Sequence, residues 1–516
     1  MVAPLRTASI QAPAFYGLNT MDSEVTLDPK FARSAENCII DEGGRIGSRL
    51  GWEYVAQTAT PATPVNLKGM HRFVDIDGLE YFGAWSDDSF YIKSGGALNS
   101  VTYTNTPAIN VLTDGNWQAA TLNDAAFLFQ RGYEPIYFSP TSGVLDDITT
   151  QGKGTPPQAN AVLSAYGRLW VADTPTNKTT VYWSDLLDGA EWRPATGTVG
   201  SLDISGILVY GNDEIVGLGA HNGNLIIFCK NNIIIMNDSA AGKQYLNPAD
   251  MALVEVINGV GCIARDSIVN TGTDIMFLSE SGVRSLGRTI QEKSQPMRDI
   301  SRNVRDTLVD QVARADKDQI RAVYSDHFAF YLLAIPDEST VWCFDMRAPL
   351  QNGSARVTRW NGLDHTSWLA FDGAMYMTNT QGIGEYRGYQ DNGSKYSMQY
   401  YTNYFDFGMS NMVKIVKNVA ATVIGSTGQK FVAKIGTDYE DIYTSYQLTV
   451  KDAQVSEYNI AEYNIGEYSG AALIDNIRIP AGGSGFVVQL GFESEINGGF
   501  LSIQQIDLYV KQGRLN

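Results

Sequence analysis

The residue types that carry out catalysis are present in this 516-residue chain, but they are not grouped into working sets. Its four histidines, His71, His221, His327 and His365, are scattered, with no HExxH pattern and no second histidine at metal-ligand spacing. Each reads as a structural histidine. Cys38, Cys229, Cys262 and Cys343 are equally dispersed, without a CxxC pair, so reduced buried thiols are expected rather than a zinc site or a disulfide framework. There is no GxSxG elbow, no Walker A loop and no GxGxxG leading into a helix. Asp75-Ile-Asp77-Gly78 has the opening of a calcium loop, but Ser86 stands where the twelfth-position Glu is needed, and a tight turn between strands accounts for it. The sequence therefore predicts no catalytic residue, no metal and no cofactor.

Charge narrows the class further. With 38 basic against 56 acidic residues the net charge is −18, which opposes a nonspecific grip on nucleic acid while leaving room for a partner that must slide past without sticking. The first residues lack the apolar core of a signal peptide, and the most apolar region, Leu225 to Met236, is broken by Lys230-Asn231-Asn232. A soluble protein made in a cytoplasm and not inserted in a membrane is expected. The sequons at Asn177, Asn237, Asn352 and Asn392 then read as chance matches.

The elements that must position any site are strands. Gly (50) and Tyr (27) are plentiful, Asp and Asn cluster beside Gly, and long amphipathic helical patterns are almost absent. Paired short strands rich in aromatics recur from Asp77, Ala125, Tyr166, Asn222, Thr273, Phe328 and Gly373, at intervals of 41 to 56 residues. A period near fifty with two strands per unit predicts an all-β protein built on a β-propeller of six or seven blades, because units that cannot bury their apolar faces alone pack around an axis. A pair of β-sandwiches is the competing architecture.

One short helix interrupts the pattern from about Met297 to Arg314. Ser301 or Asp299 is placed to cap it, Ile300, Val304, Leu308 and Val312 form an apolar stripe, and Arg302–Asp306 and Asp310–Arg314 stand at ion-pair spacing. Arg284, Arg288, Lys293, Arg298, Arg302 and Arg305 crowd around it, and a solvated basic face is the simplest reading. Beyond Tyr400 alternating strands predict an added antiparallel sandwich or platform. The small tandem repeat Glu457-Tyr458-Asn459-Ile460, Glu462-Tyr463-Asn464-Ile465, Glu467-Tyr468 fits neither helix nor strand and reads as an exposed loop. The expected division is 1–60 as an arm and hairpin lying on the platform or a neighbouring subunit, 61–405 as propeller, and 406–516 as platform.

The most structured motif lies near the start. Asn37 to Asp41, then Glu42-Gly43-Gly44, then Arg45 to Arg49, Leu50, Gly51 and Trp52 read as a hairpin turned on Gly-Gly, preceded by a Pro and aromatic entry and a polar linker. That order resembles the opening of the tail nozzle proteins of short-tailed bacteriophages, also called tail tubular protein B. Tyr182-Trp183-Ser184-Asp185 with Glu191-Trp192, Cys343 to Arg347 with Arg359-Trp360, and the closing run Gly485 to Gly513-Arg514 resemble further segments of that family. The resemblance implies a structural virion protein without enzymatic activity. It would be one of six subunits in a homohexameric nozzle below the tail's adaptor ring, with tail fibres or spikes as further partners. Double-stranded DNA would leave through the lumen without specific binding. It implies assembly in the host cytoplasm and a final location in the virion tail. Asn37, Gly43, Gly44, Arg49 and Gly51 are the expected assembly residues, with the glycines permitting the turn and Arg49 pairing with a carboxylate or carbonyls across a contact.

The alternative is a receptor-binding or glycan-degrading propeller of the tail. Against it, Ser184 to Trp192 and Thr113 to Trp117 resemble the Asp-box of sialidases but have the wrong spacing, and no carboxylate pair for glycoside hydrolysis stands out among 56 acidic residues.

Overall fold

The computed structural model describes residues 5–24, 26–58, 64–101, 103, 115–194, 198–208, 211–238, 247–293, 299–363, 365–440, 442–450 and 473–513. The tandem repeat 457–468, Met297 and Arg298 lie outside the described residues.

Seven blades lie in the described residues. The first four are meanders of four antiparallel strands, and they begin at the inner strands Gly69–Val74, Gln118–Leu122, Ala161–Ala165 and Ile215–His221. The fifth has three strands, from Val269–Asn270 to Gly282–Ser285, and the sixth runs from Arg321–Ser325 out to Arg356–Asn361. Ser367–Phe371, Ala374–Thr378 and Gly382–Tyr386 make most of the seventh. Its outer strand is Trp52–Gln57, from the other end of the chain, paired antiparallel to Gly382–Tyr386. This pairing closes the ring, so the propeller begins at residue 52 rather than after residue 60.

The seven repeat starts read from the sequence all fall at or near the second strand of a blade. These strands pack on both faces against neighbouring blades, so they read as apolar runs instead of alternating; Leu225–Cys229 and Phe330–Ile335 are buried throughout. Wide aromatics fill the wedge between blades: Phe228 of the fourth blade meets Phe277 of the fifth at 5.1 Å, and Trp170 and Trp183, side by side in the third blade at 5.6 Å, pack against Leu218 and Leu225 of the fourth.

Two sheets make the platform. One holds Lys414–Gly425 and Leu501–Gln512 with Leu473–Ile479, Ile46–Ser48, Cys38–Ile40 and Leu5–Gln11. The other runs through Phe31–Glu36, Tyr396–Thr402, Val488–Ile496, Lys430–Thr437 and Tyr443–Thr449, and it continues through Gly17–Leu18 into the outer strand of the sixth blade. Blade and platform thus share a ten-stranded sheet. The N-terminal arm, expected to lie on the platform or a neighbouring subunit, pairs along Leu5–Gln11 with Leu501–Gln512 of its own chain. Tyr396–Thr402, placed with the propeller by the sequence, is a platform strand.

The expected helix forms as a 3-10 turn, Arg302–Val304, followed by the helix Arg305–Arg314. Its stripe of Ile300, Val304, Leu308 and Val312 is buried in the core shared with the platform. Of the expected pairs, Arg314 bonds instead to Glu338, a tertiary neighbour, at 3.1 Å, and Arg305, outside both expected pairs, bonds back to Asp299 at the helix entrance at 2.6 Å. A shorter helix, Leu286–Glu292, capped by Ser285, follows the third strand of the fifth blade where the other blades carry a fourth strand. The basic crowd is mostly engaged: Arg284 lies 3.5 Å from Asp299, Arg288 donates to the Gly353 carbonyl at 2.5 Å, and Lys293 pairs with Glu255. No helix among the described residues is long and apolar enough to cross a membrane.

Candidate functional site

The N-terminal motif folds into a junction between the seventh blade, the sixth blade and the platform. Asn37 sits at φ 51°, a left-handed conformation that Asn tolerates, and this aims its amide inward. Its Nδ2 donates to the Ser397 carbonyl at 2.8 Å, while its Oδ1 accepts from Asn361 N–H at 3.0 Å and from Arg49 Nε at 3.0 Å. One side chain therefore joins a platform strand, the sixth blade and Arg49.

Arg49 is fully buried. Its two terminal nitrogens donate to both oxygens of Asp391 at 2.8 and 2.7 Å, one of them also reaches the Leu50 carbonyl at 2.8 Å, and the guanidinium lies 4.0 Å from the Tyr396 ring centre. Burial works to discharge the guanidinium, but the Asp391 hydrogen bonds and charge outweigh it and leave its pKa above the usual arginine value. The expectation that Arg49 pairs across an assembly contact is corrected here. Its carboxylate partner belongs to the same chain, and no part of the guanidinium is left for another subunit.

The three glycines have distinct reasons. Gly44 adopts φ +70°, and a Cβ there would meet Pro13 atoms at 2.5 Å, so it serves both the turn and the passage of the N-terminal arm. Gly51 lies against backbone: a Cβ would stand 1.9 Å from the Gln390 carbonyl oxygen, and the Gly51 N–H donates to the Gly388 carbonyl at 2.8 Å. Gly43 occupies the turn beside Arg45, whose side chain bonds to Asp41 at 2.7 Å.

A second polar constellation, which sequence reasoning missed, spans the propeller axis. Arg265, just before the fifth inner strand, donates to Asn116 Oδ1 at 2.9 Å, to Asn160 Oδ1 at 2.8 Å and to Asp266 at 2.7 Å. Arg321, opening the sixth inner strand, lies 2.8 Å from Asp266 and donates to Asn116 Oδ1 at 3.2 Å. Gln118, opening the second, donates to Asp266 at 3.2 Å and accepts from Val162 N–H of the third blade at 2.7 Å. Blades two and three are thereby tied directly to blades five and six, which face them across the ring. These bonds cross the channel at the end where the inner strands begin. Burial would raise the Asp266 pKa, but the charges of Arg265 and Arg321 prevail and hold it below the usual carboxylate value. Burial pushes Arg321 down, with Asp266 opposing. The only sequence signal is a polar residue at or just before each inner strand, and nothing in one sequence says that such positions converge.

The remaining chemical residues have ordinary surroundings. His71 is held to about 4 by burial and its Nε2 lies 2.9 Å from Thr121 Oγ1; His365 Nδ1 lies 3.0 Å from the Leu363 carbonyl. All four cysteines are buried and free, and burial raises Cys262 to about 11. Asp75 Oδ1 accepts from Asp77 N–H at 3.0 Å and Leu79 N–H at 2.8 Å, the expected turn. In the Asp-box-like segment Ser184 Oγ accepts from Leu169 N–H at 3.0 Å and Trp192 donates to the Gly189 carbonyl at 2.9 Å. No group of three His, Cys, Asp or Glu residues suited to a metal occurs among the described residues.

No family model matches the chain, and no curated protein matches it. Solved structures do. A streptogramin B lyase aligns over 64% of this chain and 95% of its own at 11% identity and a TM-score of 0.35. The WD40 β-propeller domain of Doa1 aligns over 65% and 96% at 9% identity, TM-score 0.35. The extracellular domain of a putative hybrid two-component system from B. thetaiotaomicron aligns over 81% and 58% at 10% identity, TM-score 0.39. Matches this distant carry nothing about activity, and the propeller stands on its own strand order.

Proposed function

We propose that the chain is a structural subunit of a short-tailed phage nozzle, one of six around an axis through which DNA leaves. The observation that carries this reading is the ordered set of family-like residues, of which Asn37, Arg49 and Gly51 lie at the junction of propeller and platform while Gly43 and Gly44 turn the hairpin that leads into it. A conduit wall must keep its shape while a stiff polymer passes, and a shared sheet with a buried ion pair at its root suits that task. In this reading the lumen lies between subunits, because the channel of each propeller is crossed by the Arg265–Asp266–Arg321 bonds. The net charge of −18 then repels phosphates, and with a Debye length of about 8 Å at physiological salt only lumen-lining carboxylates contribute. The adaptor ring above, and tail fibres or spikes at the side, are the proposed partners, and the protein acts without catalysis.

Electron cryomicroscopy of purified tails tests this. A sixfold ring of these chains on the tail axis supports the proposal. A peripheral trimeric spike, or turnover of host polysaccharide by the purified protein, overturns it in favour of a receptor-binding or glycan-degrading propeller.

A further inference from the structure

A cleft of about 790 Å³ opens where the N-terminal arm meets the sheet shared by the sixth blade and the platform, with Asp22, Glu24, Arg33, Arg359, Asn403 and Tyr439 among its lining residues. That volume lies in the range that encloses a small organic ligand. Three observations on the lining indicate the chemistry of what it holds.

The first is charge balance. The lining carries two acidic and two basic side chains, and both arginines are already engaged, Arg33 by Glu24 and Arg359 by Glu36. An ionic ligand would lose its hydration here without finding a free counter-charge of matching strength, so the cleft favours a neutral ligand.

The second is a complementary pair of unmade hydrogen bonds. Asn403 is fully buried, and its Nδ2 donates to the Glu24 and Leu27 carbonyls at 3.0 and 2.7 Å, which fixes the amide orientation. Its Oδ1 is then an acceptor without a donor, while Arg359 Nε is a buried donor without an acceptor. Hydroxyl groups satisfy both needs, because each donates one hydrogen and accepts through its lone pairs. Asp22 adds a further acceptor: it takes a bond from Asn19 Nδ2 through one oxygen at 2.9 Å, and its other oxygen bonds to no described residue.

The third is an aromatic wall. Tyr439 is 42% exposed, and the left-handed turn at Asp438 and Tyr439 together with the Tyr404 ring 4.4 Å away holds it in place. A fixed aromatic face packs against the C–H face of a sugar ring and leaves the hydroxyls at the ring's edge free to reach polar side chains.

We propose that this cleft binds a short neutral saccharide. Its hydroxyls bond to Asn403 Oδ1, Arg359 Nε and Asp22, and one ring lies on Tyr439. The inference does not rest on the nozzle reading, since neither a ring of these chains on the tail axis nor its absence alters a binding measurement on the purified protein.

Saturation-transfer NMR on the full chain tests it with maltotriose, cellotriose, triacetylchitotriose and the methyl ester of trigalacturonate as neutral probes. Free trigalacturonate, and chitotriose in mildly acidic buffer where its amines are protonated, are the charged counterparts. At least one neutral sugar receives magnetisation, and neither charged sugar binds more tightly than its neutral counterpart. Tyr439→Ala and Ser34→Leu, which puts a larger side chain into the lining, each weaken binding at least tenfold. Tyr509→Ala, at a half-buried tyrosine of the other platform sheet, leaves it within twofold. Unchanged thermal unfolding shows that each variant keeps its fold. A second readout leaves those side chains in place: the four native thiols are buried, so a dye attached through Ser23→Cys sits at the cleft, and its emission shifts when the bound sugar is added. No transfer to any neutral sugar overturns the proposal and leaves the two unmade bonds to water. Tighter binding of a charged sugar, or binding that neither cleft variant weakens and the dye does not register, overturns it as well.

Discussion

Replacing Arg49 with Met, which keeps the length and removes the charge, is the most direct test of the junction. The substitution strands the Asp391 carboxylate, whose side chain is 14% exposed, and takes one partner from Asn37 Oδ1. Breaking a buried pair from one side costs about 3–5 kcal/mol, which is roughly two to three and a half powers of ten in the folding equilibrium. Urea unfolding followed by tryptophan fluorescence reads it, with the transition that includes ring closure analysed separately because a chain of this size need not unfold in one step. Asp391→Asn alone is expected to be costly, and the double variant less costly than the sum, with a coupling of about 1.5–3 kcal/mol. Arg387→Ala removes an exposed arginine paired with Glu53 and Glu385 and should cost about 0–1 kcal/mol. A loss below about 1 kcal/mol for Arg49→Met, or strict additivity with Asp391→Asn, would refute the junction; loss of ring formation with full stability would restore an assembly role for Arg49.

Gly51→Ala should yield little folded protein in a soluble-expression assay, because the new Cβ meets the Gln390 backbone at 1.9 Å; Gly78→Ala, with φ +80° and open space around it, should cost only about 1–2 kcal/mol. The Asp266 carboxylate has a folded-state pKa below its unfolded value, so its contribution is complete above the usual carboxylate range and disappears as pH falls through the folded value. The gap between the unfolding free energies of wild type and Asp266→Asn should narrow as pH falls from 7 through and below the usual carboxylate range, and a constant gap would contradict the axial network. All four cysteines should resist a thiol reagent in the native protein and react once it is unfolded, and labelling of the native protein would contradict their burial. Removing residues 1–11 takes a paired strand from Leu501–Gln512 and should lower the unfolding midpoint of the platform; an unchanged midpoint would place the arm off its own chain.

The propeller was legible because its cause is local and repeated. Each blade needs one strand apolar on both faces, and that strand recurs at Ala125, Tyr166, Asn222, Phe328 and the other starts with its turn residues beside it. Turn chemistry was legible at Gly44 and at Asp75–Gly78 for the same reason. The helix stripe was readable from Ile300 to Val312, although the partner of Arg314 was not, since Glu338 approaches from elsewhere in the fold.

The chain's own pattern of residues thus determined a multi-bladed β architecture, buried thiols and an acidic surface, all properties that depend on composition and short-range periodicity. Tertiary structure alone decided that Trp52–Gln57 closes the seventh blade and that Arg49 meets a carboxylate 342 positions away. It also decided that Arg265, Asp266 and Arg321 close the axis. The physical reason is the same in each case. A side chain's partner across the core is set by how whole sheets dock, and the residues between the two partners carry no record of it.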